Sequence, residues 1–328
     1  MNQPIKWGIL GPGKIAEKFA SAFSQVPKAK LVAVASRDEK RAGAFAHKFN
    51  IEKVYMSYEA MITDPQIDII YIATPHTFHY EQTLLCLEHK KAVLCEKPLT
   101  LSAKQTEELI KAAGKNNTFL MEGMWSRFFP ATISALNLIQ KGEIGEVNFL
   151  RADFGFSAPH DPDHRVLNLK LGGGAQLDVG VYPLFLALLI CGEPTTIHAV
   201  SKLAGTGVDE TTAVQFQFDN GAIAHILSSI VTDTPKQAEI MGSTGTITLQ
   251  APWHKSREVI VKKNNGEIKT YRFPYEGVGF HYELEHATQC IQQGLKESNL
   301  MTLDFSLRMA CVAEEILQQG KVKYPESN

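Results

Sequence analysis

Near its start the chain runs Lys6-Trp7-Gly8-Ile9-Leu10, turns through Gly11-Pro12-Gly13-Lys14-Ile15-Ala16 and continues as an amphipathic segment to Phe23. That order is strand, glycine turn, helix. The first glycine permits the bend, the second lets the backbone approach a pyrophosphate, and Ala16 is small enough for helix and strand to pack closely. A tight βα turn of no further purpose uses similar residues, so the surrounding pattern decides. That pattern repeats. Strand-like runs at 30–35, 67–73, 92–95 and 119–122 alternate with helical segments at 80–89 and 102–115, which is the sequence form of a doubly wound parallel sheet.

In open α/β sheets ligands bind outside the carboxyl ends of the strands, so those ends are the places to search. The second strand ends at Ser36-Arg37, with Lys40 and Arg41 close behind and Asp38 two positions past the usual site of a ribose-binding acid. A cation and a small hydroxyl there suit the 2′-phosphate of NADP better than the free ribose of NAD. NADP is therefore preferred, with Arg37 as a solvated loop residue the alternative. The third run ends in Thr74-Pro75-His76-Thr77-Phe78-His79, whose histidines could face a cofactor or could cap and pack. The fourth ends in Glu96-Lys97-Pro98. Pro98 biases Lys97 toward an extended backbone, and an ammonium at that strand end would face the cofactor crevice.

After Glu122 the period changes. A helix at about 130–140 is followed by strand-like runs at 147–156, 196–203, 212–218, 222–229, 237–241, 245–249, 258–262 and 269–273, with Asn220-Gly221 and Asn265-Gly266 as hairpin turns. The expected fold is α/β plus α+β: a nucleotide-binding domain over 1–123, then a domain over 124–328 built on a large, open, mostly antiparallel sheet, its final helix packing back on the first. One face of that sheet would pack on helices. The other is a plausible dimer surface, because it would otherwise leave much apolar area in water.

Within the second half lies Gly172-Gly173-Gly174-Ala175-Gln176-Leu177-Asp178-Val179-Gly180-Val181-Tyr182. Asp178 and Tyr182 are four apart and share a face if the segment is helical. A phenol beside a carboxylate and within reach of an ammonium has its pKa drawn down from roughly 10 toward working pH, so Tyr182 could take a hydroxyl proton while hydride leaves the same carbon. A core tyrosine tied to Asp178 is the alternative.

The bulk properties exclude several partners. Net charge is −2 with cations spread along the chain, which gives no footprint for nucleic acid or an anionic membrane. Cys86, Cys95, Cys191, Cys290 and Cys311 are odd in number and widely spaced, so neither a disulfide framework nor a zinc site is expected. No basic segment followed by a long apolar run opens the chain, and the apolar stretch around 182–191 is short of the roughly 20 residues a bilayer span requires. A cytoplasmic protein with a small-molecule substrate is expected. The loop 157–170, with His160, Asp161, Asp163, His164 and Arg165, reads as a polar cover over the pocket, not as a metal site.

Gly11-Pro12-Gly13-Lys14-Ile15-Ala16, Ala73-Thr74-Pro75-His76, Glu96-Lys97-Pro98 and Asp178-x-x-x-Tyr182 together resemble the glucose-fructose oxidoreductase, inositol dehydrogenase and rhizopine catabolism (Gfo/Idh/MocA) family. Many members carry histidine where this chain has Tyr182. Tyrosine there, with the run from Met121-Glu122-Gly123-Met124-Trp125 to Pro130, is similar to the branch of dimeric dihydrodiol dehydrogenases, also described as NADP-dependent D-xylose 1-dehydrogenases. The resemblance implies a Rossmann domain with NADP held by Gly11, Gly13, Lys14, Ile15, Ser36, Arg37, Thr74, Pro75, His76, His79, Glu96 and Lys97. It implies Lys97 and Tyr182 as the catalytic pair with Asp178 beside them, no metal, and Trp125, Arg127, Phe128 and Phe154 bordering the substrate with Asp178 and Tyr182. The expected reaction is reversible oxidation of the anomeric hydroxyl of an aldopyranose or of a cyclic trans-diol. A non-catalytic NADP-binding regulator and a keto-sugar reductase are the competing readings.

Overall fold

The computed structural model describes residues 3–159 and 161–324, so His160 lies outside the described residues. The chain divides into two compact units, one of residues 1–125 with 276–307 and one of residues 126–275 with 308–328. In the first, β1 (Ile5–Leu10), β2 (Ala29–Ala35), β3 (Lys53–Tyr55), β4 (Ile69–Ile72), β5 (Ala92–Glu96) and β6 (Leu120–Gly123) form a parallel sheet in the order β3-β2-β1-β4-β5-β6. The crossovers are α1 (Lys14–Ala20), α2 (Glu39–Phe49), α3 (Tyr58–Ile62), α4 (His79–Glu88) and α5 (Ala103–Asn116). This is the doubly wound arrangement that binds dinucleotides where the strand order reverses, between β1 and β4. Every residue of β4 is buried, as a central strand covered on both faces requires.

Local chemistry sets where these helices begin and end. Asp38 Oδ1 accepts the Arg41 N–H at 3.0 Å to cap α2, and Ser102 Oγ accepts the Gln105 N–H at 3.3 Å to cap α5. Both helices stop at an asparagine in the left-handed region, Asn50 at φ 53° and Asn117 at φ 51°.

In the second unit α6 (Pro130–Gln140) and α7 (Val181–Cys191) cover one face of an eight-stranded sheet. Its strands are β7 (Val147–Gly155), β8 (Pro194–Leu203), β9 (Asp209–Phe218), β10 (Ile223–Ser229), β11 (Ala238–Gly242), β12 (Gly245–Leu249), β13 (Glu258–Lys263) and β14 (Ile268–Arg272), in the order β14-β13-β12-β11-β7-β10-β9-β8. Burial alternates along β9, β10 and β12, with Val214, Phe216, Ala224, Ile226, Ile247 and Leu249 facing the helices. All pairings are antiparallel except β7 with β10. The helical run 169–191 is long and apolar enough to span a bilayer, but here it is mostly buried as the core of this unit.

Two helices follow β14: α8 (His281–Gln292) and α9 (Leu303–Gln319). The sequence reading places 124–328 in the second domain with its final helix packing back on the first; residues 276–307, which hold α8 and the start of α9, group with the first unit. The cause is aromatic packing. Phe280, at the start of α8, stacks on Trp125 with centroids 4.4 Å apart and meets Phe19 edge-on at 6.0 Å.

Candidate functional site

Each unit carries its own candidate site residues. In the first, Gly11 has φ +89°, and a Cβ there would lie 2.7 Å from Thr74 Cγ2, so glycine alone lets the β1 turn pass the end of β4. Gly13 donates its N–H to Gly11 O at 2.8 Å, and a Cβ on it would meet nothing within 4 Å. The start of α1 has no side-chain cap, which leaves the N–H groups of the turn at Lys14 and Ile15 for an anion. These features fit a dinucleotide pyrophosphate.

The β2 end brings a hydroxyl and a cation together. Ser36 is buried and its Oγ accepts the Asp38 N–H at 3.1 Å, while Asp38 itself is committed to capping α2. The Arg37 guanidinium is exposed and lies 5.8 Å from the Phe78 ring centroid and 6.0 Å from that of Tyr58. Two aromatic rings thus flank this cation at the end of β2.

At the β4 end Thr74 Oγ1 donates to Gln82 Oε1 at 2.7 Å, and Pro75 leads into the turn carrying His76. His76 is buried and lies edge-on to His79 at 5.6 Å. His79 is fully buried, with Nδ1 2.7 Å from Pro98 O and Nε2 2.9 Å from Thr74 O. Its ring therefore ties two strand-end turns together. At the β5 end Tyr71 donates its hydroxyl to Glu96 Oε1, the Lys97 N–H meets Glu96 Oε2 at 3.3 Å, and the Lys97 side chain is buried before a cis Pro98. Next to it Glu122 Oε1 accepts the Leu99 N–H at 3.0 Å. Burial pushes the Glu122 acid up to about 7, against the Ser306 hydroxyl, the Leu99 N–H and the Lys97 charge.

In the second unit the segment bearing Asp178 and Tyr182 is not a regular α-helix. Gln176–Gly180 forms a π-turn that passes into α7, so the four-residue spacing crosses a junction of two helix types. Asp178 accepts from both terminal nitrogens of Arg165, each at 3.2 Å. The buried Tyr182 ring lies 5.2 Å from Phe154 and 5.6 Å from His254, and those two rings stack on each other at 4.3 Å. His254 is itself fixed: Ser126 donates its hydroxyl to His254 O at 2.6 Å, and the neighbouring Trp253 donates its indole N–H to Asp153 O at 2.8 Å. Phe128 is buried, and burial lowers the pKa of the Arg127 guanidinium.

The π-turn is held from beneath. Asp209 Oδ2 accepts the Gln176 N–H and the Thr212 hydroxyl, each at 2.7 Å, and burial pushes the Asp209 acid up to about 6 against these bonds. Gly174 has φ +123°, and a Cβ there would sit 2.4 Å from Asp209 Oδ1. The Tyr324 hydroxyl donates to Gly173 O at 2.6 Å.

Sequence reasoning passed over Arg165 as part of a polar loop and did not single out His254, Asp209 or Glu283. Of that loop, Asp161 Oδ1 accepts the Asp163 N–H at 3.0 Å, a local turn contact. Among the described residues no three His, Cys, Asp or Glu side chains are grouped to hold a metal ion.

Two family models match the chain: an oxidoreductase family with an NAD-binding Rossmann fold over residues 5–124, and the GFO/IDH/MocA C-terminal domain over residues 133–248. The chain is 40% identical to a trans-1,2-dihydrobenzene-1,2-diol dehydrogenase of Xenopus tropicalis, over 98% of this chain and 99% of the relative. It is 34% identical to that of Homo sapiens, over 98% of each. A 3-ketoreductase from Actinomadura kijaniata, solved with NADP and TDP-benzene, superposes with a TM-score of 0.87 at 25% identity, covering 97% of this chain and 98% of the other. An aldose-aldose oxidoreductase from Caulobacter crescentus, solved with glycerol, gives a TM-score of 0.88 at 25% identity with the same coverage. The chain belongs to the Gfo/Idh/MocA oxidoreductase family.

Proposed function

We propose that this protein is an NADP-dependent dehydrogenase acting on a CH–OH carbon of a cyclic trans-diol or a sugar, the latter at the anomeric hydroxyl of an aldopyranose. The observation that carries the proposal is likeness to trans-diol dehydrogenases along the full chain. Bound nicotinamide supplies the hydride acceptor. The glycine turn at Gly11, Gly13, Lys14 and Ile15 holds the pyrophosphate, and Ser36 with Arg37 holds the 2′-phosphate. Thr74, Pro75, His76, Glu96 and Lys97 complete the cofactor side, with His79 fixing the turns behind them.

Tyr182 takes the alcohol proton as the general base. The Lys97 ammonium favours the phenolate and the developing oxyanion. Asp178, itself gripped by Arg165, orients Tyr182 or the substrate. Trp125, Arg127, Phe128 and Phe154 border the substrate. The reverse reaction, reduction of a keto sugar, uses the same groups, and the likeness to a 3-ketoreductase favours testing it.

A homodimer through the uncovered face of the eight-stranded sheet accompanies this reading. Phe149, Leu227, Met241 and Ile260 are half-buried on that face and Val200 is exposed on it. The absence of a disulfide among the described cysteines supports the cytoplasm as its compartment.

The experiment is absorbance at the reduced-nicotinamide band on mixing the protein with NADP and a panel of trans-diols, aldopyranoses and inositols, with NAD in parallel and Tyr182→Phe alongside wild type. Turnover with a diol or sugar that falls about 10²–10⁴-fold in Tyr182→Phe is expected. Wild-type turnover in that variant, with NADP still bound, overturns the role of Tyr182. Tight NADP binding without turnover across the panel favours the regulator reading.

A further inference from the structure

The first unit buries carboxyl groups from three elements: Glu96 at the end of β5 next to Lys97, Glu122 in β6, which senses the Lys97 charge, and Glu283 in the first turn of α8, which faces Glu96 and Glu122. Glu96 is engaged by the Tyr71 hydroxyl and the Lys97 N–H, and Glu122 by the Leu99 N–H. Glu283 differs. Both of its oxygens are buried with no hydrogen-bond partner among the described residues, and any charge on it faces those of Glu96 and Glu122. An ionised Glu283 would have like charges for neighbours and no donor, which a buried carboxylate does not sustain. A carboxylic acid removes that charge and offers an O–H that a neighbouring carboxylate accepts, directly or through a trapped water.

The groups facing this cluster come from every side. They are Tyr71 of β4, Lys97 following β5, Glu122 of β6 and the Ser306 hydroxyl of α9. Burial, reinforced by Glu96 and Glu122, pushes the Glu283 acid well above the ordinary carboxyl range. Lys97 is the cation that Glu122 senses.

We infer that Glu283 is a positioning residue acting through Lys97: it keeps a proton across the neutral range and so limits the negative charge that the buried cluster presents to Lys97. The inference rests on reading Lys97 as catalytic. Proton storage is reversible and needs no other reactant.

The test has two arms. Infrared spectra of the full-length protein in D₂O, taken from about pH 6 to 9, read protonated carboxyl groups directly, ordinary Glu and Asp being ionised there. A protonated-carboxyl C=O band is expected in wild type at the alkaline end, and Glu283→Gln is expected to remove it. No such band in wild type overturns the inference without any variant, and a band that survives Glu283→Gln overturns the assignment to this residue. The second arm reads kcat and KM against pH. Glu283→Gln, which imitates the neutral acid, is expected to hold kcat near neutral pH within about threefold of wild type with the neutral-range inflection in place, whereas Glu283→Leu, which removes the O–H that the neighbouring carboxylates accept, is expected to displace that inflection by about one pH unit. A uniform fall in kcat with the profile shape unchanged indicates a structural role and overturns the link to Lys97. Failure of the wild type to turn over any substrate counts against the dehydrogenase reading instead, and leaves the infrared arm to decide the proton.

Discussion

Replacing Asp209 with asparagine should change how stability depends on pH more than it changes stability itself. Burial raises the Asp209 acid from 3.8 to about 6, against the bonds from Thr212 and the Gln176 N–H. A shift of about two units is worth about 3 kcal/mol between the protonation states. Because the folded pKa lies above the unfolded one, the folded chain binds the extra proton between about pH 4 and 6. The stabilising contribution is therefore complete below about pH 4 and is lost as pH rises through about 6. Asparagine keeps an acceptor oxygen for Gln176 and Thr212 and does not ionise. The stability of Asp209→Asn relative to wild type should thus rise by about 3 kcal/mol from acid to mildly alkaline pH. Urea unfolding of both proteins at closely spaced pH values measures this difference, and all other groups cancel in it. Parallel curves would refute the reasoning, for they would mean that Asp209 ionises in the fold as freely as in the unfolded chain.

Arg37→Ala should raise the Kd for NADP about tenfold or more while leaving NAD binding within about twofold, as loss of one charge-assisted phosphate contact implies; equal effects on both cofactors in titration calorimetry would remove Arg37 from the 2′-phosphate site. Gly173→Ala places a Cβ 2.6 Å from Val166 O and 2.8 Å from Arg165 O, both rigid backbone. It should cost about 1–3 kcal/mol in unfolding experiments and shift the Arg165 turn that grips Asp178, so kcat should fall with it; wild-type stability would show that the turn yields freely.

The strands were readable because alternation and burial impose a period on them. β12 spans Gly245–Leu249 as the pattern requires, and the other strands of the second sheet differ from it mainly by a residue or two at their ends. Strand direction was not readable: β7 and β10 pair in parallel, yet period-two alternation looks the same in either orientation. The same limit applies to the site. Lys97 and Tyr182 stand in motifs with a recognisable local shape, whereas His254 reaches Tyr182 only through folding and Arg165 lies in a loop without a period. Glu283 sits on an ordinary amphipathic helix, and nothing near it in sequence announces that its neighbours will be Glu96 and Glu122. The π-turn escaped because one extra residue per turn leaves no mark on a four-residue spacing.

The return of residues 276–307 to the first unit bears on how the chain is born. A nascent first sheet emerges from the ribosome with Phe19 and Trp125 lacking Phe280, and Phe280 comes only after the whole of 126–275 has been made. At ordinary translation speeds that interval is roughly 10–30 s. For its duration the nucleotide-binding unit has an uncovered aromatic face, a natural landing place for chaperones. A free-standing copy of residues 1–125 would keep that face exposed for good, so the two units of this chain are separable on the page of a gene less readily than their sheets suggest.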